Sequence, residues 1–284
     1  MHSALYPLGN GGDGKQVGAV LDQDFQQLSQ RFTYVRTYHS QFFGFNVADY
    51  AKKYGLKLYL GIAHYSNADW NELEIKAAVD GAKNNPDTVE AIIVGNEDLD
   101  LTGGDQSVDA IITKIQSIKD RLRQAGVPDG QVAVGTAQRI NGWLGDRKGD
   151  LDRLAGACDF IGVHIYPFFT QGFDVSKPLA LLDAQWDQML TCYGSSKSKL
   201  RLTETGWPSD GDAPSGFPAN KPSSTNQKAY FQALSGWSAR DAGGPHFWFM
   251  AYDRRSDDPF LSSHQNYEQH FGFFTADNKD KGVF

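Results

Sequence analysis

Short β-rich runs recur along the chain with amphipathic stretches between them. The runs are Ser3–Tyr6, Thr33–Tyr38, Leu56–Ile62, Ala91–Val94, Gln131–Val134, Phe160–Tyr166, Leu200–Thr203 and His246–Tyr252, a pattern that predicts eight strands. Between them Leu21, Phe25 and Leu28, and later Val108, Ile111, Ile112, Ile115, Ile118 and Leu122, recur at three- and four-residue steps and so line one helical face. Strands alternating with helices build a parallel sheet covered by helices. An open doubly wound sheet satisfies the same alternation. Eight units without a Gly-x-Gly-x-x-Gly turn after the first strand favour closure into a (β/α)8 TIM barrel. A single catalytic domain over residues 1–284 is expected, because that length lies near the roughly 250 residues one such barrel uses.

Two loops stand out. Gly9-Asn10-Gly11-Gly12-Asp13-Gly14 is glycine-rich without the strand-to-helix context of a phosphate cradle, and it reads as a flexible βα loop. Pro208–Ser224, rich in Pro, Ser and Gly, follows the seventh predicted strand and is long enough to shape a cleft.

Composition narrows the partners. Hydrophobic residues at 40% and charged residues at 21% describe a water-soluble chain with a sizeable core. A net charge of -7 and no basic stripe leave nothing to neutralise a phosphate backbone, so nucleic acid is not an expected partner. No run approaches the roughly 18 apolar residues of a membrane span, and no charged region followed by an apolar core opens the chain, so no membrane partner is expected either. Aromatics at 13% suit a neutral ligand such as a sugar, although most rings will simply fill the core. Cys158 and Cys192 either pair or remain buried thiols. His39, His64, His164 and His246 match no zinc spacing and read as structural, so no metal is assigned. The chain carries no Gly-x-Ser-x-Gly elbow and no flavin or nicotinamide fingerprint, and no cofactor is expected.

Candidate chemistry sits on two glutamates, each directly after an apolar strand: Glu97 in Ile92-Ile93-Val94-Gly95-Asn96-Glu97 and Glu204 in Leu200-Arg201-Leu202-Thr203-Glu204. In a parallel barrel both project from the C-terminal rim, where active sites of this architecture lie. Two carboxylates flanking a glycosidic bond can divide the work, one attacking or activating water while the other protonates the leaving oxygen. Asn-Glu after a strand could instead cap the next helix, and a lone Glu204 could be a solvated loop residue. The matched rim context of the pair favours catalysis. Asp98 reads as the start of the following helix.

Val94-Gly95-Asn96-Glu97 and Thr203-Glu204-Thr205-Gly206-Trp207-Pro208-Ser209 resemble the two signatures of glycoside hydrolase family 17, whose members act on β-1,3-glucan. The resemblance extends through Val35-Arg36-Thr37-Tyr38 and Ile165-Tyr166-Pro167-Phe168-Phe169, so it covers most of the barrel. Phe247 to Arg254 departs from it, lacking the Phe-Asp-Glu ending of the family's eighth strand; the region after the sixth strand is short, as in compact fungal members. The resemblance implies a retaining mechanism with Glu97 as acid/base and Glu204 as nucleophile. Physical chemistry agrees if Arg36 keeps Glu204 charged and Glu204 in turn keeps a proton on Glu97. Asn96 is expected to bind the sugar 2-hydroxyl. Tyr6, Tyr38, Tyr166 and Trp207 are expected to border the sugar, with Phe168, Phe169 and Trp207 as acceptor platforms and Phe249 and Tyr252 as weaker candidates. Hydrolysis and glucanosyl transfer stand level at this point. The other readings are a retaining β-glycosidase for a different sugar and a non-catalytic glucan-binding barrel. A monomer acting on β-1,3-glucan or gluco-oligosaccharide, secreted or in a cell wall, is what the resemblance implies.

Overall fold

The computed structural model describes residues 14–62, 67–99, 107–239, 242–258, 261 and 265–284. The first predicted strand, Tyr6 and His64 lie outside the described residues. The chain runs α1 (Gly14–Ser29), β1 (Tyr34–Arg36), a hairpin of β2 (Gln41–Phe42) and β3 (Phe45–Asn46), α2 (Val47–Lys53), β4 (Lys57–Ile62), α3 (Ala68–Asn84), β5 (Val89–Asn96), α4 (Val108–Gln124) and β6 (Ala133–Arg139). It continues through α5 (Ile140–Trp143), α6 (Lys148–Ala157), β7 (Ile161–His164), α7 (Ala180–Cys192), β8 (Leu200–Glu204) and α8 (Ser224–Ser235).

Six of these strands form one sheet in the order β1-β4-β5-β6-β7-β8, and every pairing is parallel. The fold class is α/β, as expected, with the strands curled into barrel form. Such strands are covered on both faces, which is why β7 is buried at all four positions. Gly135 lets β6 and β7 meet: a Cβ there would lie 2.1 Å from the Phe160 carbonyl oxygen. Helix α4 shows how the covering helices are specified. Val108, Ile111, Ile115, Ile118 and Leu122 are buried on one face, Ser107 Oγ caps the helix by accepting from Ala110 N at 3.1 Å, and Arg121 and Arg123 complement the dipole in the last turn. Each fully buried isoleucine on that face contributes about 1.5–3 kcal/mol. Among the described residues no helix is long and apolar enough to cross a membrane.

Three expectations need correction. The fifth predicted strand, Gln131–Val134, is really Ala133–Arg139: Thr136, Ala137 and Gln138 are small or polar, yet buried, and Gln138 Nε2 is satisfied by Thr136 Oγ1 at 2.7 Å. The eighth, His246–Tyr252, pairs only in part. Phe247 N reaches Leu202 O at 3.0 Å and Phe249 N reaches Thr205 O at 2.7 Å, after which Tyr252 bridges to Phe274 in the C-terminal segment. Asp98 does not start α4, which is capped by Ser107. Both cysteines are free thiols, and burial pushes Cys158 up to about 12, which leaves it inert.

The C-terminal segment closes over α1 through a bond from Gln27 Nε2 to Asn278 O at 3.0 Å and packing of Phe284 on Phe32. Asp24 is buried beneath it. Its Oδ2 has no partner among the described residues, and burial raises its carboxyl to about 7 against the weaker pull of Asn278 and Tyr252. A folded pKa above the unfolded 3.8 means that the native state holds the extra proton. That stabilisation is full below 3.8 and is lost as pH rises through about 7. Wild type should therefore lose melting temperature relative to Asp24→Asn between roughly pH 5 and pH 8. A scanning-calorimetry difference that stays constant over that range rejects the assignment.

Candidate active site

Glu204 ends β8 and Glu97 directly follows β5, so both stand at the C-terminal edge of the parallel sheet. One carboxylate oxygen of each lies within 4.8 Å of the other. The turn that delivers Glu97 is sharp, with Gly95 at φ 78° and Glu97 itself at φ 59°. A left-handed glutamate costs about 1–3 kcal/mol, and it is held here by a bond from Glu97 N to Ala137 O at 2.9 Å.

Glu204 is surrounded by donors. Oε1 accepts from Arg36 Nη1 and from the Tyr38 hydroxyl, both at 2.6 Å, while Oε2 accepts from the Tyr166 hydroxyl at 2.7 Å. The Arg36 and Glu204 side chains are 5% and 8% exposed, so water screens this pair little. Burial opposes the charge on Arg36, but Glu204, Tyr38 and Tyr166 more than offset it and raise its pKa. Burial, then the Glu204 charge, lifts both tyrosines well above their usual range, so each keeps its proton as a donor. Arg36 also donates from Nη1 to Thr203 O at 2.7 Å and from Nη2 to Asn96 Oδ1. The amide of Asn96 is thereby oriented by the same guanidinium.

Glu97 has a different setting. His164 Nδ1 lies 2.7 Å from Oε1, and Arg139 Nε donates to Oε2 at 2.7 Å. Burial favours a proton on Glu97, yet His164 and Arg139 outweigh it and bring the carboxyl down to about 2. The expectation that Glu204 would keep a proton on Glu97 is therefore corrected: the His164 and Arg139 nitrogens against Glu97 overcome the burial that favours the proton.

Residues expected at the site divide accordingly. Arg36, Tyr38, Asn96, Glu97, Tyr166 and Glu204 converge within one bonded network. Phe168 and Trp207 do not face a cleft. Both are fully buried in an aromatic cluster with Tyr230 and Phe271, and Trp207 packs on Phe173 at a centroid distance of 4.0 Å. As sugar platforms they are corrected: they brace the rim from below. Phe169 is half-buried against Tyr166 at 5.8 Å, and Phe249 flanks Tyr166 at 6.3 Å. Tyr252 is buried and donates to Gln27 Oε1 at 2.9 Å, away from the carboxylates. The Pro208–Ser224 loop is pinned to the rim by Asn220 Nδ2, which donates to Phe168 O at 2.9 Å and Thr170 O at 2.8 Å.

Two site residues escaped the sequence reading. The spacing of the histidines reads His164 as structural, yet it links the carboxylates, with Nδ1 also 3.5 Å from Glu204 Oε2. Its position two residues before Tyr166 was the available signal. Arg139 was hidden by the misplaced end of the fifth strand. Glu97, His164 and Glu204 together offer a metal-like donor set, but Glu97 Oε1 already faces His164 Nδ1 and Glu204 is paired with Arg36, so the cluster reads as a charge and proton network. His39 sits by Glu74 at 3.5 Å and His246 against Trp237, both apart from it.

A family model for the BtgE/BtgC glycoside hydrolase domain matches residues 5–272. The chain belongs to that family. Among its BtgE/BtgC relatives, a protein of Aspergillus niger named putative glucan endo-1,3-beta-glucosidase btgC is 28% identical over 244 residues, covering 80% of this chain and 34% of its own length. The chain thus spans about a third of that relative. The glucan 1,3-beta-glucosidase of Arthroderma benhamiae is 29% identical over 283 residues, covering 93% of this chain and 83% of the relative. Among solved structures, an active-site mutant of Rhizomucor miehei beta-1,3-glucanosyltransferase in complex with laminaritriose superposes with a TM-score of 0.66 at 20% identity, over 98% of this chain and 94% of that one. The BtgE/BtgC chain shares its fold with that transferase.

Proposed function

We propose that the protein is a retaining β-1,3-glucan-active enzyme, as in glycoside hydrolase family 17, working by double displacement through Glu204 and Glu97. The observation that carries this reading is the approach of the two carboxylates to within 4.8 Å at their nearest oxygens. Direct attack uses carboxyl groups roughly 5–5.5 Å apart, whereas an inverting site leaves roughly 6.5–9.5 Å for a water molecule. The names of the relatives, and the laminaritriose in the related transferase structure, support β-1,3-glucan as the substrate class.

In the first step a Glu204 oxygen bonds to the anomeric carbon as the glycosidic C–O bond breaks, and a proton on Glu97 passes to the departing oxygen. Tyr38, Tyr166 and Arg36 hold Glu204 aimed until it attacks. In the second step the ester has removed the Glu204 charge. Glu97, now a carboxylate, takes a proton from water or from a sugar hydroxyl as that oxygen attacks the anomeric carbon and releases Glu204. Asn96, oriented by Arg36, is the residue for the 2-hydroxyl.

Proton NMR during digestion of a laminari-oligosaccharide tests this. The first product should carry the β-anomeric configuration, and an α-anomer appearing first sinks the mechanism. Oligomers longer than the starting sugar assign transfer, and shorter sugars alone assign hydrolysis.

A further inference from the structure

The chain leaves Tyr38 and enters a tight hairpin. β2 and β3 pair Gln41 with Asn46 and Phe42 with Phe45, which leaves Phe43 and Gly44 as the two turn residues. Both have positive φ, 50° and 88°, the backbone of a type I′ turn. That turn prefers Asn or Asp before Gly, because a short polar side chain tolerates the left-handed region while a bulky one is strained there. Here the position holds phenylalanine, and Phe43 is 62% exposed. A single exposed ring is common on protein surfaces and carries no meaning alone. A ring both exposed and strained is different, since neither core packing nor turn preference accounts for it. Leu73 and Val175 are the other large apolar residues exposed among the described residues, and neither has positive φ.

The hairpin beneath the ring is firmly anchored. Glu74 of α3, fully buried, accepts from Ser40 N at 2.7 Å, Ser40 Oγ at 2.9 Å and Gln41 Nε2 at 3.1 Å. On the other arm Asn46 Nδ2 donates to Ala77 O at 2.8 Å, and across the turn Gly44 N donates to Gln41 Oε1 at 2.9 Å. Phe42 and Phe45 pack against the core, so the tip presents Phe43 to solvent. The hairpin also continues directly from the site. Tyr38, which donates to Glu204 Oε1, lies five residues before Phe43, a span of at most about 18 Å.

We propose that Phe43 is a stacking platform for a distal glucosyl unit of a β-glucan chain whose scissile bond lies at Glu97 and Glu204. The proposal rests on the reading of the protein as a glucan-active enzyme. The C–H face of a pyranose is apolar and matches the face of an aromatic ring. A ring carried on an anchored turn meets the sugar with little further ordering of the backbone. A long chain gains the contact and a short one does not reach it. Since the platform is remote from the reacting bond, it binds ground state and transition state alike and acts on KM, not on kcat.

The test is Michaelis kinetics on laminaritriose and laminariheptaose for wild type, Phe43→Asn and Phe43→Trp, with a melting curve for each. Asn-Gly is the preferred pair for this turn, so Phe43→Asn should melt no lower than wild type. It should nevertheless raise the KM for the heptaose relative to that for the triose by about fivefold, with the ratio of the two kcat values held. Phe43→Trp should keep the wild-type KM ratio. Lost affinity for long chains in a protein that is no less stable is a result that a merely structural residue does not give. A KM ratio that stays at the wild-type value in Phe43→Asn overturns the platform and leaves the function standing. So does a wild-type dimer that Phe43→Asn dissolves without moving that ratio, because the ring then faces a second copy of the chain. A wild type that turns over neither sugar removes the reading of function and the platform with it.

Discussion

Glu204→Gln should cut turnover of laminarin by at least about 10³-fold while leaving the affinity for laminari-oligosaccharides within about threefold. An amide has neither the charge nor the nucleophilicity to form the glycosyl ester, yet it keeps the shape of the carboxylate and one acceptor oxygen, which at the Oε1 position still serves Arg36 and the Tyr38 hydroxyl, donating at 2.6 Å, while the amide nitrogen faces the Tyr166 oxygen. Glu204→Ala is a poorer probe. It leaves the Arg36 guanidinium, 5% exposed, facing a cavity with its buried counter-charge gone. Breaking such a pair costs about 3–5 kcal/mol, enough to confuse lost chemistry with lost fold. The Gln variant fills that cavity and keeps an amide oxygen as acceptor for Arg36 Nη1, so its melting temperature should fall less than that of the Ala variant. Steady-state rates, titration calorimetry and a melting curve on the same preparations check all three parts. Turnover within tenfold of wild type would remove Glu204 as the nucleophile.

The parts of this site that are legible in sequence are those where an apolar run stops abruptly. Ile92-Ile93-Val94 and Leu200-Arg201-Leu202 announce buried strands, and the polar residue that ends each has to sit at the rim, so Glu97 and Glu204 could be paired without coordinates. Arg139 could not, because β6 ends in Thr136-Ala137-Gln138-Arg139, which has no apolar period. Thr136 and Gln138 are buried there because Gln138 Nε2 bonds Thr136 Oγ1 and Gln138 Oε1 accepts from Leu99 N, a partner from a distant part of the chain that the segment itself does not announce. His164 was misjudged for a related reason. A histidine on a fully buried strand is ordinarily a core residue, and its link to Glu97 depends on β5 and β7 lying on either side of β6. Trp207 failed in the opposite direction: adjacency to the Glu204 motif suggested a sugar platform, but strand alternation and the Phe168 cluster turn the ring inward. Side-chain direction past a strand end is set by packing from distant segments, here Phe173 and Tyr230, which no local pattern encodes.

Glu97→Ala should lower turnover of laminarin by about 10²–10⁴-fold, the usual worth of a positioned acid and base, and should barely slow the attack on an aryl glycoside whose phenolate departs without protonation. With that substrate the first step proceeds and the glycosyl enzyme accumulates, because no carboxylate remains to take a proton from the incoming water. Azide, a nucleophile that needs no base, should then accelerate release and yield a β-configured glycosyl azide. The residues around the missing side chain favour this rescue. His164 Nδ1 and Arg139 Nε, which donate to the two Glu97 oxygens in the native protein, are left pointing into a carboxylate-sized space that suits a small anion. The same donors set the pH behaviour. In the wild type they bring Glu97 down to about 2, below its usual 4.5, so their bond to it adds stability that is full above 4.5 and fades as pH falls toward about 2. The Ala variant should lack that acid-side loss, and it should also lack the basic limb of the rate profile, since no Glu97 proton remains to be titrated. If azide gives no rescue, or if the aryl glycoside loses as much rate as laminarin does, Glu97 is a structural carboxylate and the division of labour between the two glutamates is wrong.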